Sequence, residues 1–325
     1  MNIKNIRTDL AAEIQQIQNL GPDDGVQDEE DCVRGIPVHR TKILSAEAAE
    51  RFGKPEGQYT AVDFSGAFRD DDVYTASIQT VADEIESFIG SDMTGAVLVV
   101  GLGNAAMTSD SVGTKTADGL IVTRHIKNNL PRLFSSLPLR DVSVIKPGVL
   151  GKTGIESSDV INSVVRSTHP SAVVVIDSLS ARNPKRICST VQMSDSGICP
   201  GSGVGNTRAE ISRRTLGVPV LALGVPTVVS AVTLSADMMQ RLTDNLRNAR
   251  TSADKKLSAA LEDLHDGDFY ELLLPLVSPS ESTMTVTPGD VDALTAKVAR
   301  LLSTAINKAL HGDLSQEQIN ALLNV

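Results

Sequence analysis

Two aspartates that follow strand-like apolar runs are the strongest candidates for chemistry in the sequence. Asp110 comes shortly after the run at 96–100, and Asp177 comes directly after the run at 172–176. The carboxyl ends of strands form the ligand crevice of open α/β sheets, so the two carboxylates can meet there. Two neighbouring carboxylates do not both ionise easily, so one can act as a base towards water while the other, protonated, polarises a carbonyl. The alternative is that each aspartate only caps the turn that follows it.

Two glycine-rich segments could hold a ligand. Residues 101–106, Gly-Leu-Gly-Asn-Ala-Ala, match the G-x-G-x-x-A fingerprint of dinucleotide-binding loops. Turn residues and Gly113 follow where the phosphate-binding helix should run, and no ribose-binding acid is evident. A nucleotide-binding or redox protein that uses this loop is the alternative function. The second segment contains Gly201, Ser202 and Gly203, which we interpret either as a substrate-binding loop or as a structural turn.

Histidine, cysteine and net charge argue against several classes of protein. The 5 histidines and 3 cysteines show neither a metal-ligand spacing nor a disulfide framework, so the sequence predicts no metal and no other cofactor. With 30 Lys+Arg against 40 Asp+Glu, the formal net charge of −10 disfavours binding to nucleic acid or to anionic membranes. No apolar stretch near the first residues fits a signal peptide or a membrane span, so we predict a cytoplasmic protein.

Apolar runs of strand length alternate with amphipathic stretches of helix length along most of the chain. The strand-like runs lie at 96–100, 142–145, 172–176 and 218–223. The helical stretches lie at 77–89, 117–129, 158–168 and 231–249. This alternation predicts a three-layer α/β fold with a central, mostly parallel sheet.

The same pattern divides the chain into regions of one domain. We expect an N-terminal appendage at 10–72, the core at 73–250 and a C-terminal region at 251–325. Ser157 or Ser158 is predicted to cap the helix at 158–168. Thr287 is predicted to cap a C-terminal helix that docks on the sheet.

Six segments taken together resemble a known family. They are 99–104, 118–125, 147–156, 176–182, 194–206 and 224–229, including Val-Val-Gly-Leu-Gly-Asn, Ile-Asp-Ser-Leu-Ser-Ala-Arg and Gly-Val-Pro-Thr-Val-Val. These segments are similar to those of the germination proteases, spore endopeptidases of endospore-forming bacteria. A more distant similarity is to the hydrogenase maturation proteases, which share a related fold. Ser109 departs from the germination protease pattern, which has proline at that position.

The resemblance implies a function and a site. It implies an aspartic-type endopeptidase in the spore core, with Asp110 and Asp177 as the catalytic pair. Its substrates would be the small acid-soluble spore proteins, degraded during germination. The resemblance also implies synthesis as a zymogen and assembly as a homotetramer.

The N-terminal segment 8–13, Thr-Asp-Leu-Ala-Ala-Glu, resembles the pattern at which this family cuts its substrates. That pattern is Thr-Glu-apolar-Ala-small-Glu, cut after the acidic residue. We therefore predict that residues 1–9 are a propeptide on a flexible terminus, removed by self-cleavage between Asp9 and Leu10 when the spore acidifies. The alternative is an ordinary helix start.

Overall fold

The structure is a computed structural model that describes residues 8–90, 95–201, 208–247, 268–278 and 283–312, together with 314 and 318. Its strands form one sheet. They are β1 (Val26–Val33), β2 (Ile36–Ile43), β3 (Gly57–Asp63), β4 (Val97–Gly101), β5 (Val142–Ile145), β6 (Ala172–Ala181), β7 (Thr190–Ser194), β8 (Val220–Ser230) and β9 (Thr285–Val286).

Helices cover both faces of this sheet. They are α1 (Ala11–Gln18), α2 (Ala46–Phe52), α3 (Asp71–Ile89), α4 (Val112–Asp118), α5 (Arg124–Asn129), α6 (Pro131–Ser136), α7 (Leu150–Thr153), α8 (Ser157–Thr168), α9 (Arg213–Leu216), α10 (Ala231–Arg247), α11 (Asp268–Leu273) and α12 (Val291–His311). Helices α3, α4 and α12 pack over one face, and α8 packs over the other. The predicted three-layer α/β fold is confirmed.

The strand order is β1-β2-β3-β7-β8-β6-β4-β5, with β9 paired to β8. Strands β5, β4, β6 and β8 are parallel, as the alternation of strands and helices predicts. Strands β7, β3, β2 and β1 extend the sheet in antiparallel pairings. The region 10–72, expected as an appendage, therefore supplies three strands of the central sheet.

The two central strands are longer than predicted. β6 continues past Ile176 to Ala181, and β8 continues past Leu223 to Ser230. The continuous Val/Ile/Leu runs are buried on both faces, which is typical of parallel strands between two helical layers. The sequence predicts that Asp177 directly follows the strand. In the structure, Asp177 lies inside β6.

The predicted helix at 117–129 is wrong, because the structure has two helices, α4 and α5, separated near Gly119. A Cβ atom on Gly119 would lie 2.6 Å from Ser303 Oγ, so glycine allows α12 to approach closely. The carbonyl of Gly119 accepts a hydrogen bond from Asn307 Nδ2 at 2.9 Å. The side chain of Asn307 in α12 thus satisfies the Gly119 carbonyl, which lies between α4 and α5.

The two predicted helix caps are also wrong. Ser157 and Ser158 both lie within α8, and the hydroxyl of Ser157 donates to the carbonyl of Gly148 at 2.8 Å. Thr287 lies before α12, and its hydroxyl donates to the carbonyl of Thr227 at 2.9 Å. Both side chains therefore serve tertiary contacts. In the described part of the chain, no helix is long and apolar enough to cross a membrane.

Candidate active site

Asp110 lies at the end of a 3₁₀ turn, Thr108–Asp110, between β4 and α4. One oxygen of its carboxylate accepts the N–H of Asn104 at 2.8 Å. Burial raises the pKa of Asp110, and the hydrogen bond from Asn104 partly opposes that increase. The carboxylate therefore has one fixed donor and a second oxygen that can face the cleft.

Asp177 lies in β6 one residue beyond the last pairing with β4, which joins Gly101 to Ile176. Asp177 is buried, with only 5% of its surface exposed. Burial, together with the negative charges of Asp110 and Asp9, raises the pKa of Asp177 to about 8, against the opposing hydrogen bond from Ser178 N–H. Asp177 therefore holds a proton at neutral pH, where an ordinary aspartate is ionised.

Both aspartates line one cleft of about 500 Å³ at the carboxyl ends of the parallel strands. Asp9, Ser180 and Gly201 line the same cleft. The structure thus brings together Asp110, Asp177 and part of the predicted glycine-rich loop. Ser202 and Gly203, the other predicted members of that loop, lie outside the described residues.

The glycines of the 101–106 segment allow close packing beneath the cleft. A Cβ on Gly101 would lie 2.4 Å from the carbonyl oxygen of Gly113, and one on Gly113 would lie 2.3 Å from that of Ile176. Helix α4 begins at Val112, well beyond the G-x-G-x-x-A segment. The helix that a dinucleotide fingerprint requires at its glycines is therefore not formed there.

At Gly103, both the backbone conformation and the space near the Cα atom require glycine. Its φ is +100°, and an added Cβ would lie 2.1 Å from the carbonyl oxygen of Asp110. We expect Gly103→Ala to lower the free energy of unfolding by at least about 1–3 kcal/mol, the cost of a strained backbone, and to displace Asp110. Thermal unfolding and a proteolysis assay measure both effects.

Gly151 provides the matched control, because it also lines the cleft and nothing lies within 4 Å of its hypothetical Cβ. Gly151→Ala should leave the unfolding temperature unchanged or slightly raised, since alanine favours a helix more than glycine does. Equal behaviour of the two variants would contradict the packing role of Gly103.

Thr227 in β8 is a positioning residue whose role the sequence analysis does not indicate, although Thr227 lies in the segment 224–229 that carries the family resemblance. Its hydroxyl donates to the carbonyl of Ser109 at 2.6 Å, next to Asp110 in the chain. The residue is buried and lines the cleft. This contact anchors the turn that carries Asp110 to the central sheet.

Thr227→Val should therefore slow proteolysis by roughly 10-fold or more, because a small displacement of a catalytic group is costly. Thr227→Ser keeps the hydroxyl and should restore most of the rate. Steady-state kinetics of the two variants, with unfolding curves as a check on folding, separate loss of positioning from loss of structure. Equal rates of proteolysis for Thr227→Val and Thr227→Ser would contradict the positioning role of Thr227.

The N-terminal segment is anchored in the cleft from Thr8 onward, which differs from the expected flexible terminus. Asp9 N–H donates to Ser180 O, and Ser180 N–H donates to Asp9 Oδ2, each at 2.9 Å. Asp9 is 7% exposed and Leu10 is fully buried. Residues 1–7 of the predicted propeptide lie outside the described residues.

Glu13 fastens the same segment to the end of β6. Its buried carboxylate accepts the N–H groups of Arg182 at 2.7 Å and Asn183 at 2.9 Å. Arg186 lies 3.6 Å from the same carboxylate, and Thr8 donates its hydroxyl to it. The Thr8…Glu13 spacing, which resembles a cleavage pattern in sequence, thus also has a structural role at the start of α1.

Cys199 also lines the cleft, yet its environment disfavours a nucleophilic thiolate. Burial and the charge of Glu210 raise the pKa of Cys199, so the thiol keeps its proton at neutral pH. Over the described ranges, no group of three or more His, Cys, Asp or Glu side chains is arranged to hold a metal ion.

Comparison with known proteins assigns the family. The sequence profile of the germination proteases matches residues 3–264. A germination protease of Caldanaerobacter subterraneus subsp. tengcongensis is 38% identical over 323 residues, covering 99% of each chain. The chain belongs to the germination protease family. One from Clostridium perfringens is 37% identical over 325 residues, covering 98% of this chain and 99% of the relative.

The family resemblance predicted from the motifs is thus confirmed, and with it a protease of spore germination. A solved structure, the [NiFe] hydrogenase maturation protease HycI from Thermococcus kodakarensis, is 17% identical and covers 44% of this chain and 80% of its own. The TM-score of that match is 0.30.

Proposed function

We propose that this germination protease is an aspartic-type endopeptidase in which Asp177 is the acid and Asp110 is the base. The observation that carries the proposal is that buried Asp177 and half-buried Asp110 line one cleft, and that the pKa of Asp177 is about 8. Protonated Asp177 can polarise a peptide carbonyl, while Asp110 accepts a proton from the attacking water. The hydrogen bond from Asn104 favours the ionised form of Asp110, which supports this division of roles.

The proposed substrates are the small acid-soluble spore proteins, and the proposed location is the spore core during germination. Membership of the germination protease family supports both. The test is incubation of the purified protein with such a spore protein, followed by mass analysis of the products. Specific cuts after acidic residues are expected, and an intact spore protein would contradict the proposal.

The protein is further proposed to be a zymogen that cleaves itself between Asp9 and Leu10. The position of Asp9 in the wall of the cleft supports this step, because Asp110 and Asp177 line the same cleft. Purified full-length chain at low pH should shorten to a chain that begins at Leu10. N-terminal sequencing detects that product, and cutting only at another bond would contradict the assignment.

A homotetramer is the proposed assembly. Large apolar side chains are exposed on the packed helices α10 and α11, which supports a surface covered by another subunit. These side chains are Met238, Met239, Leu242 and Leu272. The mass in solution, measured by light scattering, should be four times the 34.4 kDa of one chain.

A further inference from the structure

The peptide link between Asp9 and Leu10 is fixed on both sides. The carbonyl oxygen of Asp9 accepts a hydrogen bond from Gln192 Nε2 at 2.9 Å. The N–H of Leu10 donates to the hydroxyl of Thr8 at 3.1 Å. Asp9 itself is held by two hydrogen bonds to the main chain of Ser180, one through its N–H and one through its carboxylate. The link is therefore held in one orientation within the wall of the cleft.

Gln192 binds the main chain around this link at two points. Besides its bond to the Asp9 carbonyl, its Oε1 accepts the N–H of Ala11 at 2.6 Å. Gln192 is only 8% exposed, so both halves of its amide have partners away from bulk water. A buried amide paired in this way is costly to leave unsatisfied, which keeps the main chain in place.

The sheet places Gln192 on the same face as Asp177. Gln192 of β7 is the pairing partner of Gly224 in β8, and Gly224 is the partner of Asp177 in β6. Residues opposite one another on neighbouring strands point to the same face of a sheet. Gly224, which lies between them, has no side chain that would separate Gln192 from Asp177. The segment at Asp9, which Gln192 binds, therefore lies on the face of the sheet that carries Asp177.

We propose that Gln192 is a catalytic residue of self-cleavage, in which its side-chain N–H stabilises the negative charge that develops on the Asp9 carbonyl oxygen. The inference rests on the proposed function, because Asp110 and Asp177 must supply the proton transfers. Preorganised donors aimed at a developing oxyanion are among the strongest contributions to catalysis.

The step balances as a simple hydrolysis. The oxygen of water forms a bond to the carbonyl carbon of Asp9, and Asp110 takes the proton that water loses. The bond between that carbon and the Leu10 nitrogen then breaks, and the leaving nitrogen takes a proton from Asp177. The products are a carboxyl group at Asp9 and an amino group at Leu10, and no oxidant or metal is required.

The first test is the rate of shortening of the full-length chain at low pH. Gln192→Met keeps the length of the side chain and removes the donor, so it should slow the first-order rate by about 10²-fold or more. Because the segment is already bound within its own chain, the wild-type rate should not change on dilution. A Gln192→Met chain that shortens at the wild-type rate overturns the proposal.

Gln15→Met is the matched control for loss of a buried glutamine. Gln15 Nε2 donates to the carbonyl of Leu20 at 2.7 Å, so this substitution also removes a buried side-chain bond to the backbone. It has no bond to the Asp9–Leu10 link, and the rate of shortening should stay at the wild-type value. Equal slowing by Gln15→Met and Gln192→Met would assign the effect to general loss of structure and overturn the proposal.

A second variant tests the donor itself and does not depend on how well Gln192→Met folds. A glutamate at this position has an O–H donor when protonated and none when ionised. The rate of Gln192→Glu, divided by the wild-type rate at the same pH, should therefore rise as the pH falls, because the division removes the pH dependence that both chains share through Asp110 and Asp177. A ratio that is independent of pH overturns the proposal.

The failure of this inference can be told apart from failure of the proposed function. A wild-type chain that cuts a small acid-soluble spore protein but never shortens itself overturns self-cleavage and the role of Gln192, and leaves the proposed proteolysis of spore proteins by Asp110 and Asp177 intact. A wild-type chain that cuts neither overturns both. Shortening of an Asp177→Asn chain at the wild-type rate would also overturn both, because no acid would be needed at that position.

Discussion

Replacing Asp177 by asparagine should abolish proteolysis and stabilise the protein in the same variant. Asparagine cannot exchange the proton that the proposed acid must hold, so the rate should fall by roughly 10²-fold or more. The folded state binds a proton at Asp177 up to about pH 8, whereas an unfolded aspartate loses it near pH 4. Wild-type stability contributed by this group is therefore lost as the pH rises from about 4 to about 8.

The stability of Asp177→Asn should exceed that of the wild type by an amount that grows across this window, on the order of a few kcal/mol at its upper end. Below about pH 4 the two proteins should be equally stable. Thermal unfolding at several pH values measures the difference. Identical curves at every pH would mean that Asp177 is ionised in the folded protein, and unchanged proteolysis would remove it from the mechanism.

Asp141→Asn is the matched control, because Asp141 is also buried but has a cationic partner. Lys127 Nζ lies 2.8 Å from its carboxylate, and Arg124 lies 3.8 Å away. Loss of that charge should destabilise the protein or leave it unchanged, since breaking a buried pair is unfavourable. A gain in stability at Asp141 would show that the effect at Asp177 is not specific to an unpaired carboxyl group.

The second large effect is expected for Asp110→Asn. This substitution removes the proposed base, so the rate of proteolysis should again fall by roughly 10²-fold or more. It also removes a negative charge that helps to raise the pKa of Asp177. The upper end of the pH window in which stability is lost should therefore move to lower pH in this variant.

The measurement is the pH dependence of unfolding for the wild type and Asp110→Asn, together with their rates of cleavage of a spore protein. Asp118→Asn offers a control, because this aspartate is exposed and bonds Lys146 at the surface. Asp118→Asn should change neither the rate of cleavage nor the pH window in which stability is lost. An unshifted window in Asp110→Asn would mean that the two carboxyl groups do not interact across the cleft.

The sequence predicted those parts of the fold and site that depend on local composition. Buried Val and Ile runs located β4 and β6, and parallel pairing then placed Asp110 and Asp177 at one edge of the sheet. The continuation of β6 is ambiguous in the sequence, because alternation of polar and apolar residues at 178–181 is typical of a half-buried strand, whereas a charged residue directly after a buried run also fits a strand end. Pairing with β8 over the full length of the strand is what extends it.

Residues whose roles depend on distant partners gave no local signal. Thr227 reads as one position in an apolar strand, and its importance comes from the carbonyl of Ser109. Gln192 reads as a polar residue in a short strand until its contacts with Asp9 and Ala11 are known. At Gly119, where the helical pattern breaks, the close approach of Ser303 is visible only in the tertiary structure. Each case requires tertiary structure.

The attachment of Glu13 to the end of β6 determines which side of a cut at Asp9 would be released. Glu13 follows Leu10 in the chain, and its carboxylate accepts the backbone N–H groups of Arg182 and Asn183. Helix α1 would therefore stay bound to the end of β6 after hydrolysis. The piece that ends at Asp9 would have lost its covalent link and could diffuse away. Its local concentration would then fall from that of a tethered segment to that of free solution, and rejoining would become negligible. Self-cleavage would therefore be irreversible and would leave the folded core in place.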